Sequence, residues 1–130
     1  MHWDMAEDRI HDALVALTGR CEKHSYVIII EEDSGKFVQF GRGPDLVIDV
    51  PCIALTGGEV ENASQFFESL GEEYYPNKRY ERDEKTGKVT YMLIFNHNFG
   101  RDARAASQTA MECFRIIYGL AGAELEIREE

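Results

Sequence analysis

The chain is short of several things, and each shortage removes a class of protein. It has only three cysteines in 130 residues, Cys21, Cys52 and Cys113. An odd number with no CxxC pair points to neither a disulfide framework nor a thiolate metal site. Basic residues are scarce: 14 Lys and Arg against 24 Asp and Glu leave a formal net charge of −10. A phosphate backbone is bound through cations, so no nucleic-acid partner is expected. No apolar run approaches the roughly 20 residues that cross a bilayer, so no membrane partner is expected either. Met1-His2-Trp3-Asp4 lacks the basic-then-apolar pattern of a secretory leader, and a cytoplasmic location is expected. Low-complexity linkers and internal repeats are also missing. What is present is 44% hydrophobic and 29% charged residues, the usage of one folded domain over residues 1–130.

Periodicity divides this domain into elements. Ile10, Ala13, Leu14 and Leu17 recur at helical spacing, Trp3 and Ala6 extend the stripe backward, and Gly19 supplies a stop. Asp4 with Glu7 three residues on has the spacing of an N-cap and its capping box. Tyr26-Val27-Ile28-Ile29-Ile30 is apolar on both faces, which calls for an interior strand, since such an edge would recruit other chains. Ser34-Gly35 turns the chain into a strand from Lys36 to Phe40. The segment Gly41-Arg42-Gly43-Pro44 then poses a choice between a phosphate cradle and a turn. A cradle needs a helix N-terminus after the glycines. Leu46-Val47-Ile48-Asp49-Val50 instead alternates at period two, so the segment reads as a hairpin turn.

Farther on, Asn62 and Gln65 are read as capping a short helix that carries Phe66, Phe67 and Leu70 and ends at Gly71. Tyr74-Tyr75-Pro76 leads into a hairpin with the loop Asp83-Glu84-Lys85-Thr86-Gly87, where Gly87 suits a left-handed position. The returning strand runs from Lys88 to Asn96. A long helix follows, from Arg101 to Tyr118, and Glu124-Leu125-Glu126-Ile127 could add a marginal edge strand. The expected class is α+β: a twisted antiparallel five-stranded sheet with long helices on one face, in the order α-β-β-β-α-β-β-α.

This order resembles that of the type III secretion chaperones and the YbjN-like proteins, together the TY-Chap domains. The most similar segments are Phe37 to Phe40 running through the glycines into Leu46 to Val50, then Tyr91 to Phe95, Phe99-Gly100-Arg101-Asp102, and the helix ending Ile117-Tyr118-Gly119-Leu120. The resemblance covers nearly the whole chain. It implies a compact, non-enzymatic protein, often a homodimer, that holds a protein or peptide segment of a partner. It carries no residue-level site over to this chain.

Chemical constellations are thin. His2, His11, His24 and His97 form no HExxH and no i, i+4 pair, and Cys21 with His24 gives only two of the ligands zinc requires. Ser25 follows His24 on a strand, which sends their side chains to opposite faces. Glu31-Glu32-Asp33, Asp45 and Asp49 do not match a calcium loop and read as solvated carboxylates. Lys78-Arg79-Tyr80-Glu81-Arg82 reads as a polar edge strand. No metal or other cofactor is expected. His97, between Asn96 and Asn98 at a strand's end, is the one candidate acid or base, and a small-ligand or enzymatic site there is the alternative to a binding module.

An imbalance of apolar surface favours the module. Val89, Tyr91, Leu93 and Phe95, with Leu46, Ile48 and Val50, make one face that the first and last helices can cover. Only the Phe66-Phe67 helix, with its long lead-in from Cys52 to Glu61, is left for the other face. An uncovered apolar patch marks a contact surface. On this parity Val47, Asp49, Met92 and Ile94 are expected at a dimer or partner surface.

Overall fold

The computed structural model describes residues 1–19, 25–41 and 45–130. Helix α1 (Trp3–Thr18) is followed by strands β1 (Tyr26–Glu31), β2 (Phe37–Gly41) and β3 (Val47–Pro51). After a short 3-10 turn at Cys52–Ala54 come helix α2 (Gly57–Ser69) and the hairpin of β4 (Asn77–Arg82) and β5 (Val89–Asn98). Helix α3 (Ala103–Glu112) runs into a π turn at Cys113–Ile117, and β6 (Leu125–Glu129) ends the fold. The α+β class and the antiparallel sheet are as expected, but the sheet has six strands, not five. The order is β4-β5-β3-β2-β1-β6, with every neighbour antiparallel.

The sixth strand is the marginal segment after Gly122. It pairs with β1, with Ile29 opposite Ile127, so the doubly apolar β1 does lie inside the sheet between β2 and β6. Both outer edges carry charge, Asn77-Lys78-Arg79-Tyr80-Glu81-Arg82 on β4 and Leu125-Glu126-Ile127-Arg128-Glu129 on β6. Charged edges of this kind resist pairing with other chains. Gly41 faces Val47 across the β2–β3 pair, so the glycine segment leads into a strand and not into a helix. Arg42, Gly43 and Pro44 themselves lie outside the described residues.

One core holds the layers together. Ile10, Leu14 and Leu17 of α1 join Val27 and Ile29, Val38 and Phe40, Ile48 and Val50, Phe67, Phe114 and Ile117 in a single buried cluster. Phe67 stacks on Phe95 at 5.5 Å, which puts α2 on the same sheet face as α1 and α3, not on the opposite one. Among the described residues, therefore, no helix lies over the second face.

The helix starts differ from two expectations. α1 begins after His2 with no side-chain cap; Asp4 sits within the first turn, and Glu7 binds Arg104 of α3 instead. α2 starts five residues before Asn62. Thr56 accepts from the Glu59 amide and Glu59 accepts from the Thr56 amide, a complete capping box. Gly57 and Gly58 cost the helix backbone entropy, which the capping box at its start offsets. Asn62 instead donates to the Ile117 carbonyl at 3.3 Å, tying α2 to the π turn. Past α3, whose Asp102 caps the Ala105 amide, that turn carries the Tyr118 hydroxyl to the Phe37 carbonyl at 2.6 Å.

Candidate partner-binding surface

Register decides where the four expected contact residues sit. Opposed residues of an antiparallel pair share a face. Asp49 faces Asn96, Pro51 faces Ile94 and Arg79 faces Met92. Val47, Asp49, Met92 and Ile94 therefore do lie together on the helix-free face. They do not form an open surface. Ile94 is 1% exposed and Asp49 is buried, while Val47 and Met92 are half-buried.

An ion pair accounts for the burial. The Arg79 guanidinium donates to both Asp49 carboxylate oxygens, at 3.1 and 2.9 Å. Arg79 belongs to β4 and Asp49 to β3, so the bridge must cross β5, which lies between them. Its two ends stand beside Met92 and Asn96, and Ile94 lies midway. The arginine stem and fork thus roof over Ile94, which is buried apart from the main core cluster. Asp49 holds Arg79 further above its ordinary pKa, by the hydrogen bonds first and against the cost of burial. What remains open here is a groove of about 290 Å³, lined by Tyr26, Ile28, Gln39, Met92 and the flanks of the bridge.

The large exposed apolar side chains are elsewhere. Val89, Tyr91 and Leu93 were expected in the core with Phe95, and their parity does match it. Phe95 is buried, but Val89 is 54%, Tyr91 56% and Leu93 39% exposed. The helices end before they reach this part of the hairpin. Tyr80 of β4, opposite Tyr91, is 65% exposed and Ile53 is 92% exposed. The two tyrosine rings lie 6.1 Å apart, and the Lys78 ammonium sits 5.0 Å from the Tyr91 ring.

The edge of β5 is open over the same stretch. β3 pairs with β5 only from Asn98 to Ile94, because Pro51 ends the strand and the chain turns away at Cys52–Ala54. Among the described residues, Val89 to Leu93 have β4 on one side and no strand on the other. A cavity of about 500 Å³ runs along this edge, lined by Cys52, Ile53, Tyr91, Met92 and Leu93. Residues from both faces of β5 line it, so it lies beside the strand and not over one face.

The alternative site does not converge. Alternation along β5 sends Asn96 and Asn98 to the helix-free face and His97 to the helix face. His97 Nδ1 lies 2.6 Å from the Glu72 carboxylate, and its ring packs edge-on against Phe99. Asn96 accepts from Asn77, and Asn98 donates to Asp45 and accepts from the Gly100 amide. Each group is engaged in holding a neighbouring segment.

Other titratable groups are structural too. Glu31, expected to be solvated, is buried, and it accepts from both the amide and the hydroxyl of Ser34. The backbone bond from Ser34 is the main cause that lowers its pKa. For Glu59, burial opposes ionisation, but Lys36 and Thr56 together outweigh it and the pKa falls. Burial raises the Cys52, Cys113 and Tyr118 values. Among the described residues no group of three or more His, Cys, Asp or Glu is placed to hold a metal, and no helix is long and apolar enough to cross a membrane. Cys21 and His24 lie outside the described residues. Comparison with family models, with curated proteins and with solved structures returned no significant match.

The strand read from Lys88 to Asn96 is longer than that from Leu46 to Val50, but only the β3–β5 pairing in the structure shows that this excess length leaves Val89 to Leu93 without that neighbour.

Proposed function

We propose that this chain is a non-enzymatic binding module that holds an apolar segment of a partner protein on the β4–β5 hairpin. The observation that carries the reading is the strip formed by Ile53, Tyr80, Val89, Tyr91 and Leu93. Exposed large apolar side chains that are contiguous, and not scattered, mark interaction sites. Covering each one adds on the order of 1–2 kcal/mol, so a bound segment has a real driving force. The open β5 edge beside the strip offers main-chain donors and acceptors to an extended segment. The resemblance to TY-Chap domains supports the same role, and a cytoplasmic setting suits the free thiols of Cys52 and Cys113.

The test is a peptide array of extended, alternately apolar sequences, read by hydrogen exchange in the protein. Binding should slow exchange at Val89 to Leu93, and Leu93→Asp should abolish it while the fold is kept. Protection of Asn96 to Asn98 instead, or no peptide bound at all, would overturn the assignment.

A further inference from the structure

Register sorts the charges of the hairpin by face. Lys78 stands opposite Leu93, Tyr80 opposite Tyr91 and Arg82 opposite Val89, and opposed residues share a face. The exposed strip therefore carries two cations and no carboxylate on its strands. Glu81, opposite Thr90, and Arg79, opposite Met92, go to the other face, where Asp49 holds the arginine. In the sequence the same charges are interleaved, and only the pleat separates them.

Neither cation of the strip is engaged by a carboxylate within the fold. Lys36, Arg79, Arg104, Arg115 and Arg128 each pair with one or two. Lys78 and Arg82 pair with none among the described residues, although the chain has 24 Asp and Glu against 14 Lys and Arg. The Lys78 ammonium lies instead 5.0 Å from the Tyr91 ring, at the centre of the strip. Asp83 and Glu84 belong to the turn beyond Arg82, and the Asp83 carboxylate accepts from the amides of Lys85 and Thr86. Across the cavity, Cys52 and Ile53 add no charge.

We infer that the segment held on the hairpin is acidic, with an apolar residue flanked by carboxylates in the pattern acid-x-apolar-x-acid. The inference rests on the hairpin being the binding surface, and it names what that surface selects. A segment paired with the open edge from Val89 to Leu93 lays alternate side chains over the strip. The one beside Tyr91 meets two tyrosine rings and is best apolar. Those two residues to either side fall beside Leu93 and Val89, in the rows of Lys78 and Arg82. These cations are four positions apart on β4, about 13 Å, which is the separation of residues i and i+4 on a strand running in either direction. β4 lies about 10 Å from the segment across β5, a gap that a long basic side chain and a carboxylate close from their two sides.

Charge complementarity of this kind selects a partner more than it tightens the complex. The rest of the acidic surface does not forbid it, because salt screens charges farther away than about 8 Å. A nucleic acid is the poorer match to the same tyrosines and cations, since each bound phosphate calls for its own cation and the net charge is −10.

The test uses extended peptides of one sequence that differ only at the two flanking places, with Glu, Gln or Lys there. The Glu peptide should bind about fivefold tighter than the Gln peptide, and the Lys peptide more weakly than either, with the differences shrinking at high salt. Moving one Glu by a single place sends it to the other face and should remove about half of the gain. Lys78→Glu combined with Arg82→Glu changes two exposed side chains, should leave circular dichroism unchanged, and should reverse the order of the Glu and Lys peptides. Equal binding of all three peptides, with Val89 to Leu93 still protected from exchange, would overturn the acidic partner alone. No binding of any peptide would overturn the binding-module reading with it. The inference would also be overturned by tighter binding of an oligothymidylate that the double variant abolishes. So would light scattering that returns two chains whose Val89 to Leu93 edge is protected without peptide.

Discussion

Replacing Arg79 by methionine isolates the bridge that roofs β5. Methionine keeps most of the apolar stem and deletes the guanidinium, so the Asp49 carboxylate is left buried with its main partner gone. The Asp49 side chain is 6% exposed and that of Arg79 is 43% exposed. Breaking a fully buried pair costs about 3–5 kcal/mol, but the exposed half of the arginine lets water screen this one, which brings the expectation to about 2 kcal/mol. At an unfolding entropy of about 2.1 cal/mol/K per residue, that lowers the melting temperature by roughly 7 °C. Chemical denaturation at neutral pH measures the free energy directly, and amide exchange along Leu93 to Phe95 reports the loss of cover over Ile94. Adding Asp49→Leu to Arg79→Met removes the orphaned charge and should recover most of the loss, since an apolar pair of similar size can replace a buried ion pair. A single substitution costing under about 0.5 kcal/mol would refute the reasoning, because it would make the bridge an ordinary surface pair.

Ile94→Asp should unfold the chain or destabilise it by more than about 3 kcal/mol by circular dichroism, since it puts a second carboxylate in a buried site already occupied by Asp49; a folded monomer with only weaker association would show that Ile94 is a surface contact after all. Glu31 and Glu59 both have folded pKa values below the ordinary 4.5. Their stabilisation is therefore complete above about pH 4.5 and is lost as pH falls through the folded values, and Glu31→Gln should flatten the acid limb of the stability curve below about pH 4.5. Tyr118→Phe removes the bond to the Phe37 carbonyl and should cost about 1–2 kcal/mol in urea, with no change in light-scattering mass.

Much of this architecture is written locally. The helical stripe of α1, the alternation of Leu46 to Val50, the left-handed Gly87 at φ 71° and the interior place of β1 all follow from neighbours within a few residues, and all appear in the fold. The start of α2 differs from expectation for a local reason too: Gly57-Gly58 reads as loop, whereas the Thr56–Glu59 capping box starts the helix there. The remaining differences are of another kind. Parity in the sequence could place Val89, Tyr91 and Leu93 on the same face as Phe95, and it placed them correctly. It could not say that the helices stop before reaching them, because helix length against sheet length is settled by how α1, α2 and α3 pack around Phe67, Phe95 and Phe114. Nor could it pair Asp49 with Arg79, thirty residues apart and on strands that are not neighbours. That ion pair exists only once β5 has been laid between β3 and β4, and it turns Ile94 from an expected contact into a buried side chain. The alternating pattern by itself determined the strands and their faces. Only the stacking of strands and helices of unequal length decided which part of a face water can reach.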